Sequence, residues 1–170
     1  MDKQTDFLII GTGLAGLTLA LHASEFGKVT ILSKTDVKNA NSPLAQGGVA
    51  AVMSSDDSFE KHTQDTLTAG AGLCRPEVVE SVVIDGPDRI KELVNWGIKF
   101  ETKNDSIDFS LTREGGHSER RVLHIADHTG KDIHEHLLKL VQTNSNIEVL
   151  ENALALDLIT NKNVNSYTFD

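Results

Sequence analysis

A single cysteine, Cys74, occurs in the sequence. No internal disulfide can therefore hold the fold together, and a reducing, cytoplasmic setting is expected. Cys74 lies in Ala69-Gly70-Ala71-Gly72-Leu73-Cys74, where a small half-buried packing residue is expected rather than a nucleophile. Long hydrophobic runs are also missing. The longest, residues 7–10 and 49–53, fall far short of the roughly 20 apolar residues that cross a bilayer, so no membrane association is expected. The opening residues, Met1-Asp2-Lys3-Gln4-Thr5-Asp6, are polar and lead directly into a strand-like segment; a signal peptide is not expected. Positive charge is scarce. Sixteen Lys and Arg against 25 Asp and Glu leave a net charge of −9, and without a basic face no nucleic-acid partner is expected. Repeats and low-complexity tracts are absent.

What is present is an ordinary globular balance. Apolar residues at 39% and charged residues at 24% can bury one real core, and the length suits one domain. Phe7-Leu8-Ile9-Ile10 is a short apolar run of the kind found in a central strand of a parallel sheet. Leu14, Leu17 and Leu21 then recur at helical spacing up to about Phe26, with Gly27 as terminator. Val29-Thr30-Ile31-Leu32 reads as a second strand, completing a β–α–β unit with a right-handed crossover. Residues 33–58 form a long stretch rich in small and polar residues, the kind that is functional or disordered. Further on, the pattern predicts a helix over residues 59–69 and helical segments over 76–96 interrupted near Gly86-Pro87. A loop is predicted over 111–121 and a helix over 129–143. Strands are predicted over 147–150 and 153–159, then a turn at Asn161-Lys162-Asn163 and a strand over 164–169. No element follows to cover that strand. The expectation is an α/β, Rossmann-like domain with a parallel sheet and accessory strands, cut short within a larger architecture.

Gly11-Thr12-Gly13-Leu14-Ala15-Gly16 fits the dinucleotide pattern G-x-G-x-x-G, set between a strand and a helix. The first glycine permits the tight turn, the second lets backbone approach a pyrophosphate, and the third lets helix and strand pack closely. The helix N-terminus adds amide donors and a positive dipole. The acidic residue that ordinarily ends the second strand and binds the ribose is missing. Ser33-Lys34 stand there instead, with Asp36 a less well-placed alternative. The motif alone does not separate FAD from NAD.

A second segment favours the flavin. Asn41-Ser42-Pro43-Leu44-Ala45-Gln46-Gly47-Gly48-Val49-Ala50-Ala51 resembles the S-x-x-A-Q-G-G segment of the fumarate reductase and succinate dehydrogenase flavoprotein family. The resemblance implies an FAD-binding domain in which Ser42, Ala45, Gln46, Gly47 and Gly48 line the cofactor. Small residues allow close approach to a flat ring, and Gln46 can both donate and accept. Succinate dehydrogenases carry a flavin-linking histidine in this segment, and alignment puts Asn41 there. An amide cannot form that bond, so non-covalent FAD is implied.

A third segment, Leu111-Thr112-Arg113-Glu114-Gly115-Gly116-His117-Ser118-Glu119-Arg120-Arg121-Val122-Leu123-His124 with Ala126-Asp127-His128-Thr129-Gly130, resembles the L-aspartate-oxidising branch of the same family. So does Asp65-Thr66-Leu67-Thr68-Ala69-Gly70-Ala71-Gly72. Three of five arginines fall within nine residues of an acidic chain, and planar guanidinium groups suit carboxylates and phosphates. A dicarboxylate alone would not favour Glu114 among them; one bearing an ammonium group would. By resemblance Glu114 orients the substrate amino group, while pairing only with an arginine stands as its alternative. His117 is a candidate contact to substrate or flavin, or a holder of the loop. Arg120 and Arg121 are open between structural and cofactor-contacting roles.

The resemblance implies oxidation of L-aspartate to iminoaspartate, with O2 (giving H2O2) or fumarate as acceptor, the first step of one route to NAD. Quinolinate synthase is then the natural recipient of the imine, on pathway grounds. Catalytic residues of this family come from a capping domain and later segments, so none is assigned within residues 1–170, and the isolated segment is expected to be inactive and to bind FAD poorly. A succinate or fumarate enzyme, or a non-catalytic FAD-binding piece, are the alternatives. Metal binding is not expected. His134-Glu135-His136 lacks the H-E-x-x-H spacing, and His124 with His128 lacks a third ligand.

Overall fold

The fold was obtained as a computed structural model, which describes residues 3–103 and 106–160. In chain order the elements are β1 (Phe7–Ile10), α1 (Leu14–Ala23), β2 (Val29–Leu32), a 3₁₀ turn (Ser42–Leu44), β3 (Val49–Ala50), α2 (Phe59–Ala69), α3 (Pro76–Asn95), β4 (Val122–Leu123), α4 (Thr129–Thr143) and β5 (Ile147–Leu150). The described residues fall into two compact units, those within 1–40 and 137–170, and those within 41–136.

The first unit is built on a parallel sheet in the order β1-β2-β5. Phe7 pairs with Val29 and Ile10 with Leu32 on one side of β2; Val29 pairs with Ile147 and Leu32 with Leu150 on the other. Among the described residues the first strand is therefore at an edge, and β2 is the central one. β2 is flanked on both sides, and its Val29 and Ile31 are buried with Ile9. β1 keeps a free edge among the described residues, leaving Phe7, Leu8 and Ile10 39%, 54% and 70% exposed. An apolar run marks a strand destined for burial but does not rank strands within a sheet. Helix α1 covers the sheet with Leu17, Ala20 and Ala23. It ends at Ala23, earlier than the apolar spacing suggested: the Glu25 and Phe26 amides donate to the His22 and Ala23 carbonyls (3.2 and 3.0 Å) in a tighter turn, and Asn146 Nδ2 takes the Ser24 carbonyl (3.0 Å). Gly27 serves close approach rather than termination: a Cβ there would come within 2.5 Å of an Asp6 carboxylate oxygen.

The strand expected over 153–159 does not form. The Ala153 amide donates to the Ser33 carbonyl at 2.9 Å, but residues 153–160 join no ladder, and Leu154, Leu156 and Leu158 are exposed. Alternation makes a strand only where a regular ladder to a neighbouring strand forms, and none is formed at 153–159 among the described residues. The turn at 161–163 and the strand at 164–169 lie outside the described residues.

In the second unit β3 and β4 pair antiparallel, Val49 opposite Leu123 and Ala50 opposite Val122, and α2 packs on α3. Helix α3 runs unbroken through Gly86-Pro87, where an interruption was expected. Pro87 removes one backbone donor, a cost of about 3 kcal/mol. Burial of Val83 and Ile90 on the same helix offsets it. Gly86 faces Ala51, and a Cβ there would make ordinary contact with the Ala51 Cβ at 3.5 Å, so the glycine is not required for the packing. The helices predicted over 59–69 and 129–143 form with those bounds.

Candidate functional site

In the first unit the glycine fingerprint has the geometry of a phosphate-binding turn. The Gly11 amide donates to the Leu32 carbonyl (2.8 Å), and the chain then turns through a φ of +108° that favours glycine. Gly13 is extended and caps α1, which begins at Leu14. A Cβ on Gly16 would meet the Gly11 carbonyl oxygen at 2.1 Å, so only glycine lets helix and turn close so tightly. No acidic side chain occupies the first turn of α1, so no carboxylate there opposes the positive end of its dipole. Ser33 is buried, and its hydroxyl lies 3.3 Å from that of Thr12, also buried. Lys34 is exposed, and exposed Asp36 accepts from the Lys38 amide at 2.8 Å.

The second unit carries the other cofactor candidates. Asn41 is exposed and its carbonyl accepts from the Leu44 amide (3.0 Å), opening the 3₁₀ turn that contains half-buried Ser42. Ala45, Gln46, Gly47 and Gly48 follow, all exposed. Two anchors fix this segment. The Gly130 amide, at the start of α4, donates to the Ala45 carbonyl (3.1 Å). Gly48 lies flat on β4, where a Cβ would meet the Leu123 carbonyl oxygen at 2.1 Å. Beside Gly47 stands Glu114: a Cβ at Gly47 would lie 3.5 Å and 3.9 Å from its two carboxylate oxygens. The carboxylate is exposed and, among the described residues, forms no ion pair. Exposed Arg113 reaches the Ser118 carbonyl at 3.5 Å, and Arg120 is exposed.

Arg121 holds the loop that carries Glu114, and sequence reasoning left its role open. It is fully buried. Its Nε and Nη2 donate to both carboxylate oxygens of Asp57 (2.7 and 2.8 Å), just before α2. Its Nη1 donates to Asp65 on α2 (2.5 Å) and to Nδ1 of His117 (3.2 Å). Asp65 also accepts from the Ser118 amide (2.7 Å) and hydroxyl (2.8 Å). Burial alone would raise the Asp65 pKa, but the bonds from Ser118 and Arg121 hold it down at about 2. Asp57 is likewise lowered against its burial by Arg121 and the Ser58 amide. His62 on α2, its ring 5.7 Å from that of His117, has its pKa pushed down by burial first and then by the Arg121 charge. Asp57 escaped the sequence reading; the only available signal was an acidic residue beside the helix-capping Ser58, whose hydroxyl accepts from the Lys61 amide (3.2 Å).

The discounted histidines have structural places. His136 Nε2 lies 2.7 Å from the Trp96 carbonyl oxygen, His134 is buried, and His124 Nε2 pairs with Glu101 at 3.1 Å. Cys74 is half-buried, with Sγ 3.8 Å from the Thr66 carbonyl.

A strand, a glycine turn and a helix N-terminus in one unit, with a small-residue segment anchored beside a carboxylate in the other, are the parts of a flavin-binding domain. The chain belongs to the FAD binding domain family, which matches residues 6–168, and FAD is its cofactor. Within that family it is similar to L-aspartate oxidases. It is 45% identical over 158 residues to the chloroplastic L-aspartate oxidase of Oryza sativa subsp. japonica, covering 93% of this chain and 24% of that one. The L-aspartate oxidase of Vibrio cholerae is 44% identical over 163 residues, 94% of this chain and 30% of its own. Among solved structures, a quinol-fumarate reductase with menaquinol molecules superposes with a TM-score of 0.84 at 30% identity, over 95% of this chain and 28% of that one. The chain thus spans about a quarter to a third of the length of these relatives.

Proposed function

We propose that this chain is the FAD-binding part of an enzyme that oxidises L-aspartate to iminoaspartate. The observation that carries the reading is Glu114: an exposed carboxylate, free of ion pairs among the described residues, set against Gly47 of the flavin-lining segment. A carboxylate there suits a substrate that bears an ammonium group. When bound, FAD supplies the two-electron acceptor. The protein's own contribution is to hold the substrate in place. Gly11, Thr12, Gly13, Leu14, Ala15 and Gly16 take the pyrophosphate at the start of α1, and Ser33 and Lys34 lie at the ribose end of β2. Asn41, Ser42, Ala45, Gln46, Gly47 and Gly48 line the ring system, and Glu114 and His117 meet the substrate. O2, giving H2O2, or fumarate takes the electrons onward. The reaction serves NAD synthesis, with quinolinate synthase as the recipient of the imine.

No helix among the described residues is long and apolar enough to cross a membrane. The lone cysteine supports a cytoplasmic setting, although the plant relatives are named as chloroplastic.

The second reading, a fumarate reductase or succinate dehydrogenase flavoprotein, is favoured by the superposition on quinol-fumarate reductase. Oxygen uptake by the full-length protein separates the two. L-aspartate-dependent consumption of O2 with matching H2O2 is expected, and a response to succinate alone would move the protein to the second reading.

A further inference from the structure

The turn that carries Glu114 also carries His117. Residues Glu114-Gly115-Gly116-His117 close a β-turn through the His117 amide and the Glu114 carbonyl (3.2 Å), with Gly116 at a φ of +86° as a type II turn requires. The two side chains therefore flank one tight turn. Arg121 Nη1 lies 3.2 Å from His117 Nδ1. A guanidinium has no acceptor, so Nδ1 must offer its lone pair, and the ring proton must sit on Nε2. Arg121 is not free to shift away: its Nε, Nη2 and Nη1 are held by Asp57 and Asp65 in a fully buried position. His117 itself is half-exposed, and its Nε2–H has no partner among the described residues. The other titratable group against the ring is His62, buried on α2.

We propose that the Glu114–His117 turn reads the zwitterionic head of an α-amino acid. Glu114 accepts from the ammonium group, and His117, fixed by Arg121 in its Nε2–H tautomer, donates to the adjacent carboxylate. One acceptor and one donor on a single turn match the two groups that an α-amino acid carries on one carbon. A plain dicarboxylate offers only acceptors and would leave Glu114 facing like charge. Arg121 is on this account a positioning residue: it sets which ring nitrogen carries the proton. The inference rests on the reading of Glu114 as a substrate contact.

The test uses the full-length holoenzyme with ¹⁵N-labelled histidine. Nitrogen shifts of His117, assigned by whichever substitution at that position retains FAD, report the tautomer directly. A proton on Nε2 alone is expected; a proton on Nδ1 overturns the proposal. Two variants then separate donor from scaffold. His117→Asn places an oxygen where Nδ1 stood and keeps the Arg121 contact but loses the Nε2–H. His117→Gln places an amide donor near Nε2. With FAD content retained, KM for L-aspartate is expected to rise about tenfold or more in His117→Asn, as loss of a hydrogen bond to a charged group implies. It is expected to stay within about threefold in His117→Gln, with kcat moving less than KM in both. The reverse order, or wild-type KM in His117→Asn, would show that His117 only braces the loop. Glu114→Gln keeps the two failures distinguishable. An unchanged KM there removes the ammonium contact and with it the aspartate reading, while the tautomer still reports on the Arg121–His117 contact alone.

Discussion

Arg121 shows why a buried charge can be kept where an apolar residue would pack more simply. One guanidinium ties the segment before α2, the body of α2 and the Glu114 loop into a single arrangement. Truncating it strands the buried carboxylate of Asp57 and the half-buried one of Asp65. Arg121→Met is expected to cost about 3–5 kcal/mol, the range for breaking a buried pair by removing one partner, read as a lower denaturant midpoint of the holoprotein. A change below about 1 kcal/mol would mean the cluster is solvated. The same carboxylates set an acid limit. Asp65 is held at about 2 against an ordinary 3.8, and Asp57 is lowered too. The unfolded chain therefore takes up these protons first, and the stabilisation is present above pH 3.8 and lost as pH falls through about 2. His62, lowered from 6.5, acts with the same sign at higher pH, because only the unfolded chain protonates it readily. Asp65→Asn should flatten the acid limb of a stability-against-pH curve below 3.8; an unaltered limb would assign acid sensitivity elsewhere. At Asn41 the prediction is chemical. No imidazole stands at the linking position, so acid precipitation should release all the flavin, and yellow colour retained on the denatured protein would refute non-covalent binding.

At the scale of elements, the fingerprint is the most demanding piece of backbone. A methyl group at Gly16 would drive into the Gly11 carbonyl at 2.1 Å, and a backbone carbonyl cannot swing aside as the end of a flexible side chain can. Gly16→Ala is expected to abolish FAD retention on purification, whereas Ala15→Gly, at an exposed position, should keep it. Equal retention by both would mean that the turn does not hold the cofactor. Helix α3 offers the opposite case, a local rule overridden. Pro87 sits inside a continuous helix, so Pro87→Ala should restore a donor and raise stability by about 1–2 kcal/mol, less than the full helix cost because the freed unfolded chain gains entropy. A lower melting temperature would show that the proline shapes the packing. These elements also mark how much was legible in the sequence. Residues 7–10, 29–32, 59–69, 129–143 and 147–150 declare themselves because each pattern is local: an apolar run, a helical repeat, a capping serine. The place of β1 among the described strands, the absence of a regular strand at 153–159 and the unbroken α3 depend on neighbours distant in sequence, which periodicity does not encode. The candidate site divides the same way. The glycines were legible as a motif, and Glu114 as an odd charge among arginines. The Arg121–Asp57 pair spans 64 residues and left no local trace.

For the whole molecule, membership of the FAD binding domain family and the similarity to L-aspartate oxidases agree with the parts seen in each unit. The family fixes the cofactor; the substrate proposed above turns on a single carboxylate and its surroundings. The most direct test is to hold the full-length protein with FAD under anaerobic conditions and follow the visible flavin band. The account predicts bleaching by L-aspartate and none by succinate, with the L-aspartate response weakened by about tenfold or more in apparent affinity in Glu114→Gln. Bleaching by succinate and not by L-aspartate would contradict it and leave Glu114 as a loop residue with no part in choosing the substrate.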